Sequence, residues 1–154
     1  MFCQYTVALP NDGEQPMKIV ADASLFNYKT RIDTYEGNVK VDQGTTHLLA
    51  DKLVTEKNEH HKIISAIAYG THHLAELTTL PSVNAKILHA KSNIIKFYPP
   101  TSILVLEDNV VVTQGENSFH GSLIIYNMKE EIVSAPASKN GRATIVIDAK
   151  TQKS

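Results

Sequence analysis

Glu36-Gly37-Asn38-Val39-Lys40-Val41-Asp42-Gln43-Gly44 and Glu107-Asp108-Asn109-Val110-Val111-Val112-Thr113-Gln114-Gly115 agree at six of nine positions, 71 residues apart. The match continues without a gap: Leu48 falls on Phe119, Ala50 on Gly121 and Leu53 on Ile124. Upstream, Ile19-Val20-Ala21-Asp22-Ala23-Ser24 aligns with Ile87-Leu88-His89-Ala90-Lys91-Ser92 at an offset of 68. These matches read as one β supersecondary unit used twice, each copy unable to bury its apolar face alone.

The residues around the repeat read as strands. Ile, Val and Thr number 14, 12 and 13, and such residues suit a pleated, half-buried surface. Short apolar runs recur at Ile63–Ile67, Ile94–Phe97, Ile103–Leu106, Leu123–Ile125 and Ile145–Ile147. Gly37-Asn38, Gln43-Gly44, Lys57-Asn58, Pro99-Pro100, Gln114-Gly115 and Asn140-Gly141 break them. The stretch Ala21 to Tyr35 reads as strand, because Thr30, Ile32 and Thr34 alternate with Arg31 and Asp33. This spacing predicts an all-β sandwich, barrel or roll of antiparallel units. By alternation, Phe119, Gly121 and Leu123 share one face. Val110–Val112 and Leu123–Ile125 are apolar on both faces, which calls for a second sheet, a partner chain or a greasy ligand.

Composition narrows the function. The 154 residues carry 15 Lys and Arg against 16 Asp and Glu, a net charge of −1, so the basic excess of a nucleic-acid binder is missing. No run approaches 18 apolar residues. Cys3 stands alone, so no internal disulfide can form. Residues 1–14 read as a signal-peptide remnant or a disordered N-terminus, with Thr6-Val7-Ala8 resembling a cleavage site. One domain is expected over 15–148, and a polar tail over 149–154. A stacked structure leaves an open strand edge at each end, and the last expected strand, Ala143 to Asp148, is guarded only by Arg142 and that tail.

Tyr35 to Thr45, followed by Leu49-Ala50-Asp51-Lys52-Leu53, resembles the signature of the OstA-like family: Gly-Asn-Val, a strand, Gln-Gly, a strand, then Ala-Asp-Lys. Asn109 to Gly115 is similar to the family's second unit, and Gln15-Pro16-Met17-Lys18-Ile19 to its entry into the first strand. The resemblance spans about residues 15 to 148. Asp108, where the first copy has Gly37, departs from the pattern. The resemblance implies a twisted, open β-jelly roll without catalytic machinery or cofactor. It implies a periplasmic protein of the LptA type that binds the lipid A part of lipopolysaccharide in an apolar groove. Copies would stack head to tail between LptC-like inner-membrane and LptD-like outer-membrane partners. Carried over, it makes Met17, Ile19, Leu74, Ile95 and Phe97 lipid-facing; alternation adds Val39, Val41, Val110, Val112, Phe119 and Leu123. The alternative is a structural β-roll that forms filaments and binds no lipid.

Other constellations offer less chemistry. His60-His61 and His72-His73 lie across an expected hairpin, with no carboxylate at a ligand spacing, so no metal site is expected. No nucleophile elbow or phosphate loop occurs. Asp22 and Asp51 read as strand-end hydrogen-bonding groups. Lys18, Lys40, Lys52, Lys86, Lys91 and Lys96 read as a solvated face, with lipid phosphate as the other possibility.

Overall fold

The structure, a computed structural model, describes residues 14–81, 83–139 and 141–147. Cys3, Ala8, Asp148 and the 149–154 tail lie outside the described residues. Twelve strands and no α-helix are described. The first unit comprises β1 (Met17–Val20), β2 (Ala23–Asn27), β3 (Ile32–Gln43), β4 (Thr46–Lys57), β5 (Ile63–Tyr69) and β6 (Ala75–Thr79). The second comprises β7 (Leu88–Ser92), β8 (Ile94–Tyr98), β9 (Ile103–Gln114), β10 (Asn117–Asn127), β11 (Ile132–Ser134) and β12 (Thr144–Val146).

All pairings are antiparallel and follow two parallel paths. One layer runs β1-β3-β4-β6-β7-β9-β10-β12 and the other β2-β3-β4-β5-β8-β9-β10-β11. The long strands β3, β4, β9 and β10 belong to both. His47–Leu49 of β4 pair with β6, while Lys52–Lys57 pair with β5. Strands of 11 or 12 residues are about twice the usual length, and each must bend to serve two layers. The bend falls at a register shift, between Glu36 and Val39 in the first unit and between Gly121 and Leu123 in the second. Gly37 (φ 83°) and Asn38 (φ 46°), then Asp108 (φ 64°) and Asn109 (φ 53°), supply the left-handed residues of these bulges. Gly37-Asn38 is therefore a bulge inside one strand, not a break between two. Likewise Ile103–Leu106 and Val110–Val112 belong to the single strand β9.

The all-β jelly roll expected from the sequence is present, and its two units are equivalent at an offset of 71 through their first four strands. Ile19 lies opposite Val41 as Ala90 lies opposite Val112, so Ile19 corresponds to Ala90. The upstream offset of 68 is thus corrected: Asp22 corresponds to Asn93. Hydrogen bonds repeat with the strands. Asp22 N donates to Gly37 O (2.8 Å) as Asn93 N does to Asp108 O (2.9 Å). Asn38 Nδ2 donates to Asp22 Oδ2 (2.8 Å) as Asn109 Nδ2 does to Asn93 Oδ1 (2.6 Å). Side-chain similarity alone had aligned two apolar runs, whereas backbone pairing decides the correspondence. The Ala21 to Tyr35 stretch is strand as expected, but a turn over 28–31 divides it into the β2–β3 hairpin, whose Asn27 Oδ1 accepts from Lys29 N (3.1 Å) and Thr30 N (3.0 Å).

A single core fills the space between the layers. Val39, Val110 and Ala90 reach it from the first layer, and Leu53, Leu104 and Ile124 from the second. Ala50, Ala68, Ala75 and Ala90 are buried too, and small side chains at these positions keep the layers close.

Candidate functional site

Antiparallel partners share a face, so the register shows which side chains look between the layers. From the first layer these include Met17, Ile19, Val39, Val41, Val110, Val112 and Phe119. Ile95 and Phe97 look inward from the second, opposite Leu106 and Leu104. Nine of the eleven expected lining residues thus share one interior. Val39, Val41, Ile95, Val110 and Val112 are buried within it, while Ile19, Phe97 and Phe119 pack half-buried against it. Met17, on the end strand, is 41% exposed.

The other two stand elsewhere. The bulge shifts β10 by one residue, so Leu123 pairs with Glu107 while Ile124 and Tyr126 turn inward. Leu123 therefore lies on the outer face, contrary to simple alternation. Leu74 lies in the connection between β5 and β6. Leu104, Leu106 and Tyr126 were missed as lining residues. The sequence signal for Leu104 and Leu106 was their alternation within the apolar run Ile103–Leu106, and the structure sets them opposite Phe97 and Ile95.

The two units line the interior differently. In the second, Leu88, Leu104, Leu106, Val112, Phe119 and Tyr126 surround an apolar cleft of about 60 Å³, with Val133 at its border. In the first, Asp33 and Lys57 hold the places of Leu104 and Met128 at the 71-residue offset. Lys57 Nζ lies 2.6 Å from Asp33 Oδ2, and Asp33 is 3% exposed. The contact with Asp33 raises the Lys57 pKa. Burial, then the Asp33 charge, raises that of Tyr35, whose ring meets Phe26 edge-on at 5.9 Å. One half of the interior is thus apolar, and the other contains an ion pair.

The remaining polar groups hold the frame. Asp51 sits at the bend of β4 rather than at a strand end. Its Oδ2 accepts from the backbone of Thr71 (2.7 Å), His72 (2.6 Å) and His73 (3.1 Å). These bonds, those from His72 and His73 foremost, lower its pKa to about 2. Lys40, Lys52, Lys91 and Lys96 pair with Asp42, Glu36, Glu76 and Glu107 at 3.9, 3.4, 3.3 and 2.9 Å. His60-His61 and His72-His73 occupy turns at opposite ends of the seven-residue β5, about 20 Å apart. Among the described residues no three His, Cys, Asp or Glu side chains are placed to hold a metal.

Among the described residues, both ends of the roll are apolar and leave their outer strand edges unpaired. β1 and β2 pair only with β3, and β11 and β12 only with β10, among the described residues. Most of the exposed large apolar side chains are here: Val20, Leu25 and Phe26 at one end, Ile132, Ile145 and Val146 at the other.

Known proteins share this architecture. The lipopolysaccharide export system protein LptH of Pseudomonas aeruginosa is 29% identical over 140 residues, covering 90% of this chain and 75% of that protein. The export protein LptA of Haemophilus influenzae is 26% identical over 144 residues, covering 91% and 81%. The crystal structure of Pseudomonas aeruginosa LptH, the LptA-homologous periplasmic component of a lipopolysaccharide transport device, superposes with a TM-score of 0.81. That match is 26% identical and covers 90% of this chain and 99% of the other. The family model for the LptA/(LptD N-terminal domain) LPS transport protein matches residues 18–132. Because that match spans most of its length, the chain belongs to the LptA/LptD N-terminal domain family of lipopolysaccharide transport proteins.

Proposed function

We propose that this chain is a non-enzymatic carrier that moves lipopolysaccharide across the periplasm, its lipid A acyl chains held between the two layers. Copies stack end to end, and partners of the same fold at the inner and outer membranes cap the column. The observation that carries the reading is the inner face, apolar but for the Asp33–Lys57 pair of the first unit, which reaches exposed end strands that are paired on one side only among the described residues. An acyl chain of a dozen carbons gains about 10 kcal/mol on leaving water, so a carrier must offer it an apolar lining throughout. The cleft of about 60 Å³ in the second unit holds only a short stretch of such a chain. Loading therefore parts the layers along Phe97 and Phe119, where packing is half-open.

Photocrosslinking from position 97 in cells tests this reading, with lipopolysaccharide as the expected adduct. Phe97→Asp is expected to abolish uptake of a labelled lipid A analogue while the protein still folds. Ile95 is unsuitable for that test, because a charge at a side chain 3% exposed would unfold the layer. The closely packed interior favours a second reading, a filament-forming β-roll that holds no lipid. That reading predicts assembly without any lipid adduct.

A further inference from the structure

The first unit holds polar groups at inner-face positions where the second is mostly apolar. One row of cross-strand partners runs along the second layer: Asp33↔Thr55, Thr55↔Ala66, Ala66↔Phe97 and Phe97↔Leu104. At the 71-residue offset Thr55 corresponds to Tyr126, as Asp33 and Lys57 correspond to Leu104 and Met128. Asp33 and Thr55 are 3% and 2% exposed. As direct partners they set their Cβ atoms about 5 Å apart, on the side that looks between the layers.

The Asp33–Lys57 pair does not satisfy this polar row. Thr55 Oγ1 is buried and has no hydrogen-bond partner among the described residues. It does not bond Asp33 Oδ2, which has only the Lys57 ammonium, at 2.6 Å. A hydroxyl buried without a bond destabilises the empty protein, and a group that enters and supplies the bond removes that penalty.

We infer that Asp33 and Thr55 bind a hydroxyl on the acyl chain, so that the interior selects hydroxyacyl lipids over plain ones. This rests on the carrier reading above and adds the chemistry of the chain, which that reading leaves open. A hydroxyl matches both groups at once: its O–H donates to the Asp33 carboxylate while its oxygen accepts from Thr55 Oγ1. An ester carbonyl fits worse, because an oxygen that only accepts meets the negative carboxylate. A methylene satisfies neither group.

Position agrees with the path of loading. A chain admitted at Phe97 passes Ala66, whose side chain is only a methyl, and reaches Thr55 two strands on, about 10 Å away. On the other side of Phe97 the row continues to Leu104. A plain stretch of chain therefore lies in the second unit and the hydroxyl in the first.

The test uses two fluorescent diacyl glucosamine phosphates, alike except that one carries hydroxyacyl chains and the other their deoxy counterparts. An interior that only withdraws methylenes from water favours the deoxy probe, the more apolar of the two. The original chain is instead expected to bind the hydroxylated probe about tenfold more tightly. Thr55→Val keeps the shape, deletes the hydroxyl and should lose that preference, whereas Thr55→Ser should keep it. Asp33→Leu with Lys57→Met, which copies the second unit, should also lose it. Melting curves check that each variant folds, and the double variant decides if Thr55→Val does not. A preference that survives in Thr55→Val or the double variant overturns the hydroxyl site. So does one lost in Thr55→Ser, or equal binding of both probes by the original chain; lipid carriage then still stands. An original chain that binds neither probe overturns both.

Discussion

Gly37 and Asp108 occupy the same place in the two units, yet they tolerate change differently. A Cβ at Gly37 would come within 2.5 Å of Asp22 Oδ2, at a φ of 83°. Gly37→Ala should therefore cost about 2 kcal/mol in urea denaturation. Asp108→Gly should stay within about 0.5 kcal/mol, because relief of left-handed strain is offset by a freer unfolded chain. Asp51 adds a pH signature. Its folded pKa of about 2 lies below the ordinary 3.8, so its contribution is full above about pH 4 and is lost as pH falls toward 2. Amide exchange at Thr71, His72 and His73 should accelerate over that window, relative to other turns, and Asp51→Asn should remove the pH dependence. The Ala-Asp-Lys signature was readable in sequence, but its role was not, since the three donors to Asp51 lie 20 to 22 residues away.

At the scale of the element, what could be read depended on how locally a feature is encoded. The Gln-Gly turns were legible because Gly44 and Gly115 carry positive φ within hairpins. β6, Ala-Glu-Leu-Thr-Thr, was not, since its strand character comes from lying between β4 and β7. Leu123 was misplaced because a bulge is a property of two paired strands, and alternation counts along one. The repeat also frames a substitution. Lys57→Met leaves a carboxylate buried without its cation and should cost about 3 kcal/mol. Asp33→Leu should cost less, because Lys57 can extend its half-exposed amine to water. Asp33→Leu with Lys57→Met reproduces the Leu104 and Met128 of the second unit and should be neutral or stabilising in denaturant titration.

For the whole molecule, the cleft and the open end are neighbours: Val133 borders the cleft and is 39% exposed on an end strand. On the proposed reading, a second copy seated there would cover Val133 and with it the border of the cleft, so stacking and lipid loading would share a surface. Coupling between two binding events is reciprocal, and typical values run from about fivefold upward. Lipid should therefore tighten end-to-end association by the same factor that association tightens lipid binding. Ile145→Lys separates this from fold damage, because Ile145 is 51% exposed and its replacement should change monomer stability by no more than about 0.5 kcal/mol. That variant, with Phe97 and Phe119 intact, should remain monomeric and bind a lipid A analogue about fivefold more weakly than the original chain does at assembling concentrations. Equal affinities, measured by fluorescence titration beside sedimentation, would mean that each copy holds its lipid alone and that the ends serve assembly only.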